Sequence, residues 1–237
     1  MIAVAEIAKM IDHSILHPVM TDQDLAEQCD IARKYAVATV CVKPYHVRQA
    51  AKLLGNSGVG VCAVAGFPHG NSSIEIKVAE TLQVIHDGAT EVDMVVNIGK
   101  VLQEDWDYIE EEVNRVNLAC INNNAILKVI FETDYVRDEN LKISLCRICS
   151  NQKAAFVKTS TGYGFVKGED GKYNYTGATD SDIMLMKKYC APEVKIKAAG
   201  GIRNLMQLLS ARELGASRIG ASATPVIMME AMDFKEQ

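Results

Sequence analysis

The sequence predicts an α/β protein, a closed (β/α)8 barrel (TIM barrel) with a short helix ahead of its first strand. Three observations carry this. Eight short strand-like runs alternate with helical ones, and regular β-then-α alternation implies a parallel sheet. The 237 residues hold these units with no linker-like stretch between them, which reads as a single domain over 1–237. The Gly-rich dinucleotide fingerprint that would favour the alternative, an open doubly wound sheet, is absent.

Residues 2–10 read as a short amphipathic helix. Ile11-Asp12-His13-Ser14-Ile15-Leu16-His17-Pro18 follows as a strand stopped by proline. Thr21 with Asp24 three residues on is an N-cap signal for a helix over 22–35. Residues 36–44 form the second strand, again ended by proline, and a helix covers 45–54. Gly60-Val61-Cys62-Ala63-Val64-Ala65 is the third strand, followed by the loop Gly66–Asn71 and a helix over 73–87. The run Glu91-Val92-Asp93-Met94-Val95-Val96-Asn97-Ile98-Gly99 is the fourth strand, with a helix over 103–120. Residues 125–132 are the fifth strand, and a helix spans 138–150. The sixth strand leads into Lys158. A polar, glycine-bearing loop from Gly164 to Gly177 comes next, longer than most strand-to-helix connections. It reads either as a lid or as a tolerated surface insertion. Helices over 179–189 and 203–214 flank the seventh strand, which carries Lys197. Residues 217–222 are the last strand, with a short helix after it.

Composition narrows the function classes. Hydrophobic residues make up 49%, enough for a sizeable core, and the formal net charge of −5 argues against nucleic-acid or anionic-membrane partners. No apolar run approaches a membrane span. The N-terminal apolar residues are interrupted by Glu6, Lys9 and Asp12, unlike a signal peptide. Seven cysteines, scattered and odd in number, fit a reducing cytoplasmic compartment. Cys146 and Cys149 form a CxxC inside a helical run, which reads as packing on one helical face.

The chemistry-bearing residues lie on strands. Ala155-Phe156-Val157-Lys158 is an apolar run ending in lysine, followed at once by Thr159-Ser160-Thr161-Gly162. A buried ammonium is costly, and a neutral amine is a nucleophile toward carbonyls. The plainer reading is a strand-end lysine reaching solvent. Val194-Lys195-Ile196-Lys197-Ala198-Ala199-Gly200-Gly201 repeats the pattern; strand alternation puts Lys195 and Lys197 on one face, and closeness to the Gly-Gly turn favours Lys197. Asp93 is a carboxylate among apolar residues, near the start of its run and so a poorer fit to the C-terminal strand ends where barrel sites lie. The Lys158 and Lys197 strands are consecutive and predicted to be neighbours, so two close ammonium groups would leave one amine neutral and Schiff-base competent. Asp93 would carry protons. Gly200-Gly201 and Gly220-Ala221-Ser222 sit after strands seven and eight, the common phosphate site of such barrels. No His/Cys/Asp/Glu set has convincing metal-ligand spacing, so no metal and no cofactor is predicted.

These stretches resemble one family. "IDHSIL" (11–16), "VCV" (40–42), "VCAVAGFPHG" (61–70), "EVDMVVNIG" (91–99), "LKVIFET" (127–133), "FVKTSTGY" (156–163), "KAAGGIR" (197–203) and "RIGAS" (218–222) resemble deoxyribose-phosphate aldolase, in the family's order over nearly the whole chain. The resemblance implies reversible cleavage of 2-deoxy-D-ribose 5-phosphate to D-glyceraldehyde 3-phosphate and acetaldehyde. It implies a cytoplasmic, metal-independent class I aldolase of deoxyribonucleotide catabolism, for which a homo-oligomer is compatible. By motif it makes Lys158 the Schiff-base lysine, Lys197 the lysine that tunes it and Asp93 the proton-relay carboxylate. It assigns Thr161, Gly162, Gly200, Gly201 and Ser222 to the substrate and its phosphate, and places Asp12, Cys41 and Lys128 near the site without specified roles. Three departures stand out: Ala223 where many members have a second hydroxyl residue, the long 164–177 loop, and a tail over 233–237 without the terminal tyrosine of some members. The alternatives are a Schiff-base barrel aldolase with another donor or acceptor, and a sugar-phosphate-binding regulator on the same scaffold.

Overall fold

Eight parallel strands close on themselves in a computed structural model that describes residues 2–235. The last two residues, and with them the end of the tail that lacks a terminal tyrosine, lie outside the described residues. The barrel strands are β1 Ile11–Ile15, β2 Thr39–Val42, β3 Gly60–Ala65, β4 Glu91–Val95, β5 Ile126–Ile130, β6 Phe156–Lys158, β9 Lys195–Ala199 and β10 Arg218–Ala221, in chain order around the ring. β7 Val166–Lys167 and β8 Tyr173–Asn174 form a separate antiparallel hairpin. The helices are α1 Val4–Ala8, α2 Asp22–Tyr35, α3 Val47–Leu54, α4 Ile74–His86, α5 Ile98–Leu102, α6 Trp106–Ile121, α7 Glu139–Asn151, α8 Asp180–Tyr189, α9 Leu205–Leu214 and α10 Thr224–Lys235. The (β/α)8 barrel and its short leading helix are therefore as the alternation predicted. No helix among the described residues is long and apolar enough to cross a membrane.

Strand alternation divides the buried side chains into two sets. Outward-facing Ile11, Ile15, Val40, Val42, Val92, Met94, Leu127, Val129, Ile196 and Ile219 pack against the helices in one large apolar core. Each such burial is worth roughly 1.5–3 kcal/mol. The inside differs from the usual layers of Val, Ile and Leu. Its apolar part is a small cluster of Leu16, Cys41, Cys62 and Val64 together with Val95, Ile130 and Phe156, and charged side chains lie among them.

Several local readings hold and some change. Thr21 Oγ1 accepts from the Asp24 N–H at 3.3 Å while Asp24 Oδ2 accepts from the Thr21 N–H at 2.7 Å, the predicted capping box of α2. Cys146 and Cys149 are buried free thiols of α7. The fourth strand stops at Val95, not Gly99. Asn97 Oδ1 instead accepts from the Lys100 N–H at 3.2 Å and caps α5, as short polar side chains compete with a strand ladder. Asp93 is thus mid-strand. The 164–177 segment is a hairpin turning at Gly171, not an irregular loop; two-residue strands leave no periodic signal.

A buried ion pair braces β4 from outside. Lys77 Nζ lies 2.6 Å from Glu112 Oε1 and donates to the Val95 carbonyl at 2.6 Å; Glu112 Oε2 accepts from the Asn97 N–H at 2.9 Å. Burial pulls the Lys77 amine down and pushes the Glu112 carboxyl up, and each counter-charge opposes that. Removing one partner of such a pair costs about 3–5 kcal/mol, whereas replacing both with apolar groups is often neutral. Lys77→Met is expected to lower the melting temperature by about 10 °C, and the double variant Lys77→Met/Glu112→Leu to recover most of it. Thermal melts check this, and a shift under about 2 °C in the single variant contradicts it.

Candidate active site

The sheet register sets the site before any side chain is considered. Asp93 is paired with Lys128 across β4 and β5, and Lys158 with Lys197 across β6 and β9. Partners at one register level of a parallel pair point the same way, here inward. Lys195 shares the face of Lys197 but sits at the N-terminal end of β9 and is exposed, its Nζ 5.7 Å from the Phe156 ring centroid. Depth in the barrel thus separates two lysines that alternation could not. Gly220 makes room for the inner one: a Cβ there would stand 3.3 Å from Lys197 Cε and 2.9 Å from Ala199 Cβ.

Asp93 is the hub. Its Oδ2 accepts from Lys158 Nζ at 2.8 Å and from Lys197 Nζ at 2.7 Å. Its Oδ1 accepts from Lys128 Nζ at 2.8 Å and from Cys62 Sγ at 3.1 Å, and Cys41 Sγ lies 4.0 Å from Oδ2. Lys197 has a second carboxylate, Asp12 Oδ2, at 2.5 Å. Asp12 Oδ1 accepts from Thr39 Oγ1 at 2.7 Å and from Arg218 Nη1 at 2.5 Å. Glu91 closes the ladder, 2.9 Å from Arg218 Nη1 and 2.6 Å from Lys128 Nζ. Four cations thus face three carboxylates inside the barrel.

The charge states follow from this packing. Burial alone would raise the Asp93 carboxyl, but Lys128, Lys158 and Lys197 hold it well below the usual carboxylate range. Asp12 is likewise lowered against its burial, by Lys197, Lys128 and Arg218. Burial would pull Lys197 down, yet Asp12 and Asp93 outweigh it and hold the ammonium charged. Lys128 is raised in the same way by Asp93, Asp12 and Glu91. Mutual repulsion of the two lysines is therefore not what governs Lys197; its two carboxylates are. Contact with Cys62 lowers the Cys41 thiol against its burial. The Cys41, Cys62 and Asp93 ligand atoms lie within 4.8 Å of one another, a spacing that suits a metal, but three ammonium groups already occupy that carboxylate.

A cavity of about 510 Å3 opens above this cluster at the C-terminal end of the strands. Asp12, Cys41, Lys158 and Lys197 reach it from below, Gly200, Gly201 and Ser222 form one wall, and Thr161 and Gly162 another. Asp93 and Lys128 do not line it; they lie one layer deeper, fully buried. The loop amides differ between the walls. The Thr161 N–H points to Glu132 at 3.3 Å, the Gly162 N–H to Ser160 Oγ at 3.2 Å and the Tyr163 N–H to Thr161 Oγ1 at 2.9 Å. The amides of Gly201, Ile202 and Ser222 have no acceptor among the described residues. Such a row of free N–H groups suits an anion. Tyr163, Phe165 and Tyr175 add an aromatic rim, the last two from the feet of the hairpin.

Four participants escaped the sequence reading. Glu91 lies two residues before Asp93 on the same strand face, a signal that alternation offered. Arg218 opens the last strand but gives no hint of pointing inward. Glu132 and Asp134 follow β5, outside any periodic element, and only the folded loops show what they hold.

Comparisons with known proteins identify the family. A family model described as DeoC/LacD family aldolase matches residues 6–223. The deoxyribose-phosphate aldolase of Rhodopirellula baltica is 45% identical over 226 residues, covering 95% of this chain and 89% of that one. That of Treponema denticola is 43% identical over 218 residues, covering 92% and 96%. Among solved structures, the aldolase QR15 superposes with a TM-score of 0.87 at 33% identity over 97% of both chains. The tetrameric deoxyribose phosphate aldolase of Aeropyrum pernix does so with a TM-score of 0.86 at 25% identity over 98% of this chain and 93% of that one. The family match runs through every strand that bears the lysine–aspartate cluster, and this chain belongs to the DeoC/LacD family of aldolases.

Proposed function

We propose that this aldolase reversibly cleaves 2-deoxy-D-ribose 5-phosphate to D-glyceraldehyde 3-phosphate and acetaldehyde through a Schiff base on Lys158. The observation that carries the reading is a single carboxylate oxygen, Asp93 Oδ2, shared by two lysines at the floor of a cavity whose wall offers free amides.

The roles divide by contact. Lys158 has one carboxylate partner and reaches the cavity, so it is the nucleophile; Lys197 has two that hold it charged. Lys158 gives up a proton to Asp93 or a water, its neutral amine adds to the C1 aldehyde, and the carbinolamine loses water to give a protonated imine. Lys197, still an ammonium, is placed to donate to the departing hydroxyl. The imine is the electron sink, so the reading calls for no metal. Loss of the C3 hydroxyl proton breaks the C2–C3 bond, releasing D-glyceraldehyde 3-phosphate and leaving an enamine. Asp93 relays that proton through Lys197 or a water, because it does not face the cavity itself. Protonation of the enamine at C2 and hydrolysis release acetaldehyde and restore Lys158.

Asp12 and Lys128 serve this step through charge: Asp12 keeps Lys197 protonated, and Lys128 keeps Asp93 anionic. Cys41 shapes the floor between them. Gly200, Gly201 and Ser222 are suited to the phosphate, with Arg203 at the cavity edge as counter-charge. Thr161 and Gly162 have their amides, and Thr161 its hydroxyl, engaged within the loop, so they bound the substrate by shape. The reading fits a cytoplasmic catabolic enzyme over 1–237, assembled from copies of itself as the tetrameric relative is.

Three outcomes test it. Release of acetaldehyde from 2-deoxyribose 5-phosphate is expected from the wild-type chain and from no Lys158→Met sample; a Lys158→Met protein that keeps its rate contradicts the assignment. Lys197→Met is expected to fold and to lose about 10²–10⁴-fold in kcat. The third concerns acid. Asp12 and Asp93 titrate lower folded than unfolded, where aspartate sits near about 3.9. The stability they contribute is complete above that pH and is lost as pH falls toward their folded values. Urea midpoints are expected to drop steeply below about pH 4, with a shallower acid slope in Asp12→Asn; equal slopes in the two proteins contradict this.

A further inference from the structure

We propose that Glu132 and Asp134, just beyond β5, are positioning residues that fix the phosphate wall of the cavity relative to Lys158. The inference rests on the function proposed above. Neither residue faces the reacting atoms. Both are buried, and neither has an ammonium or guanidinium partner among the described residues. A buried carboxyl without a counter-charge must be satisfied by hydrogen bonds. All of the donors these two use belong to the loops that line the cavity.

Glu132 holds the loop that follows Lys158. Its two oxygens take the Thr161 N–H at 3.3 Å each, Oε2 takes the Thr161 hydroxyl, and Oε1 lies 2.6 Å from Ser160 Oγ. Its backbone adopts φ of 54°, a left-handed conformation that a residue with a side chain seldom takes. Such a conformation persists only where its surroundings over-determine it, and such places cluster at functional sites. Ser160 Oγ also lies 3.0 Å from Asp134 Oδ2 and so bridges the two carboxyls.

Asp134 holds the other side. Its Oδ1 accepts from the Thr176 N–H at 2.5 Å, and both its oxygens lie within 3.2 Å of the Gly177 N–H. Gly177 stands directly against Gly200: a Cβ on it would come within 2.5 Å of the Gly200 carbonyl oxygen. The next amide, of Ala178, donates to that oxygen at 3.1 Å. A continuous line of contacts thus runs from the Lys158 loop through Ser160, Asp134 and Gly177 to the glycine pair whose amides are suited to the phosphate. The same line fixes the foot of the hairpin, and the Tyr135 hydroxyl donates to the Phe165 carbonyl at 3.2 Å on its other foot. These two carboxyls therefore add a second tie between the loop after the reacting lysine and the anion wall, beside the direct Thr159–Ala199 hydrogen bonds.

The test compares the phosphorylated sugar with its unphosphorylated counterpart, because only the former uses the wall. Glu132→Gln and Asp134→Asn each replace an acceptor oxygen with an N–H₂ that cannot receive the loop donors. For both variants kcat/KM on 2-deoxyribose 5-phosphate is expected to fall at least about tenfold, chiefly through KM. On 2-deoxyribose it is expected to change less than about twofold, with the melting temperature little altered. Equal losses on both sugars would mean a merely structural role and overturn the proposal, as would an unchanged phosphate preference. If Glu132→Gln does not fold, Asp134→Asn alone decides between these outcomes. A wild-type enzyme that cleaves neither sugar overturns the functional reading instead, so the two failures are distinguishable.

Discussion

One carboxylate facing three ammonium groups is the constraint on which the rest of the barrel interior depends. Asp93 is fully buried, and Lys128, Lys158 and Lys197 all lie within 2.8 Å of its oxygens. Taking such groups out of water costs several kcal/mol per ion, and attraction alone repays this only with good geometry and further hydrogen bonds. The ladder from Asp12 through Arg218 and Glu91 supplies them. An interior of Val, Ile and Leu would be simpler to fold. What the charged layer adds is a lysine kept cationic beside another lysine that meets the cavity with a single partner.

The scaffold fixes this arrangement from both sides of the sheet. Strand register places the four central residues in adjacent pairs, so no loop conformation is needed to assemble them. Outside, the Lys77–Glu112 pair is bonded to the Val95 carbonyl and the Asn97 amide, one turn of chain beyond Asp93. Above, the Gly200–Gly201 turn packs against Gly177, whose N–H is held by Asp134 on a neighbouring loop. On the proposed reading, rigid strands hold the chemistry and tied loops hold the substrate, a division that places precision where bonds change and adaptability where a ligand enters.

Much of this was legible in the sequence because it is periodic. The barrel followed from alternation, and Lys158 and Lys197 stood out as charges inside apolar runs. Strand parity put Asp93 on one face but could not choose between Lys195 and Lys197, since depth along a strand is not encoded in alternation. The over-long fourth strand arose because Val96 and Ile98 read as apolar continuation, whereas Asn97 capped a helix instead. Glu132 and Asp134 were silent for a different reason. Their partners are hydroxyls and amides 26 to 43 residues away, and nothing local to either residue records that contact.

The measurement that bears most directly on the central claim is borohydride trapping with acetaldehyde, followed by peptide mass mapping of the reduced protein. Acetaldehyde carries no phosphate, so the result depends on the lysine cluster alone. A single reduced adduct on Lys158 is the predicted result. An adduct on Lys197 or Lys128, the lysines held charged by two or more carboxylates, would contradict the division of roles at Asp93.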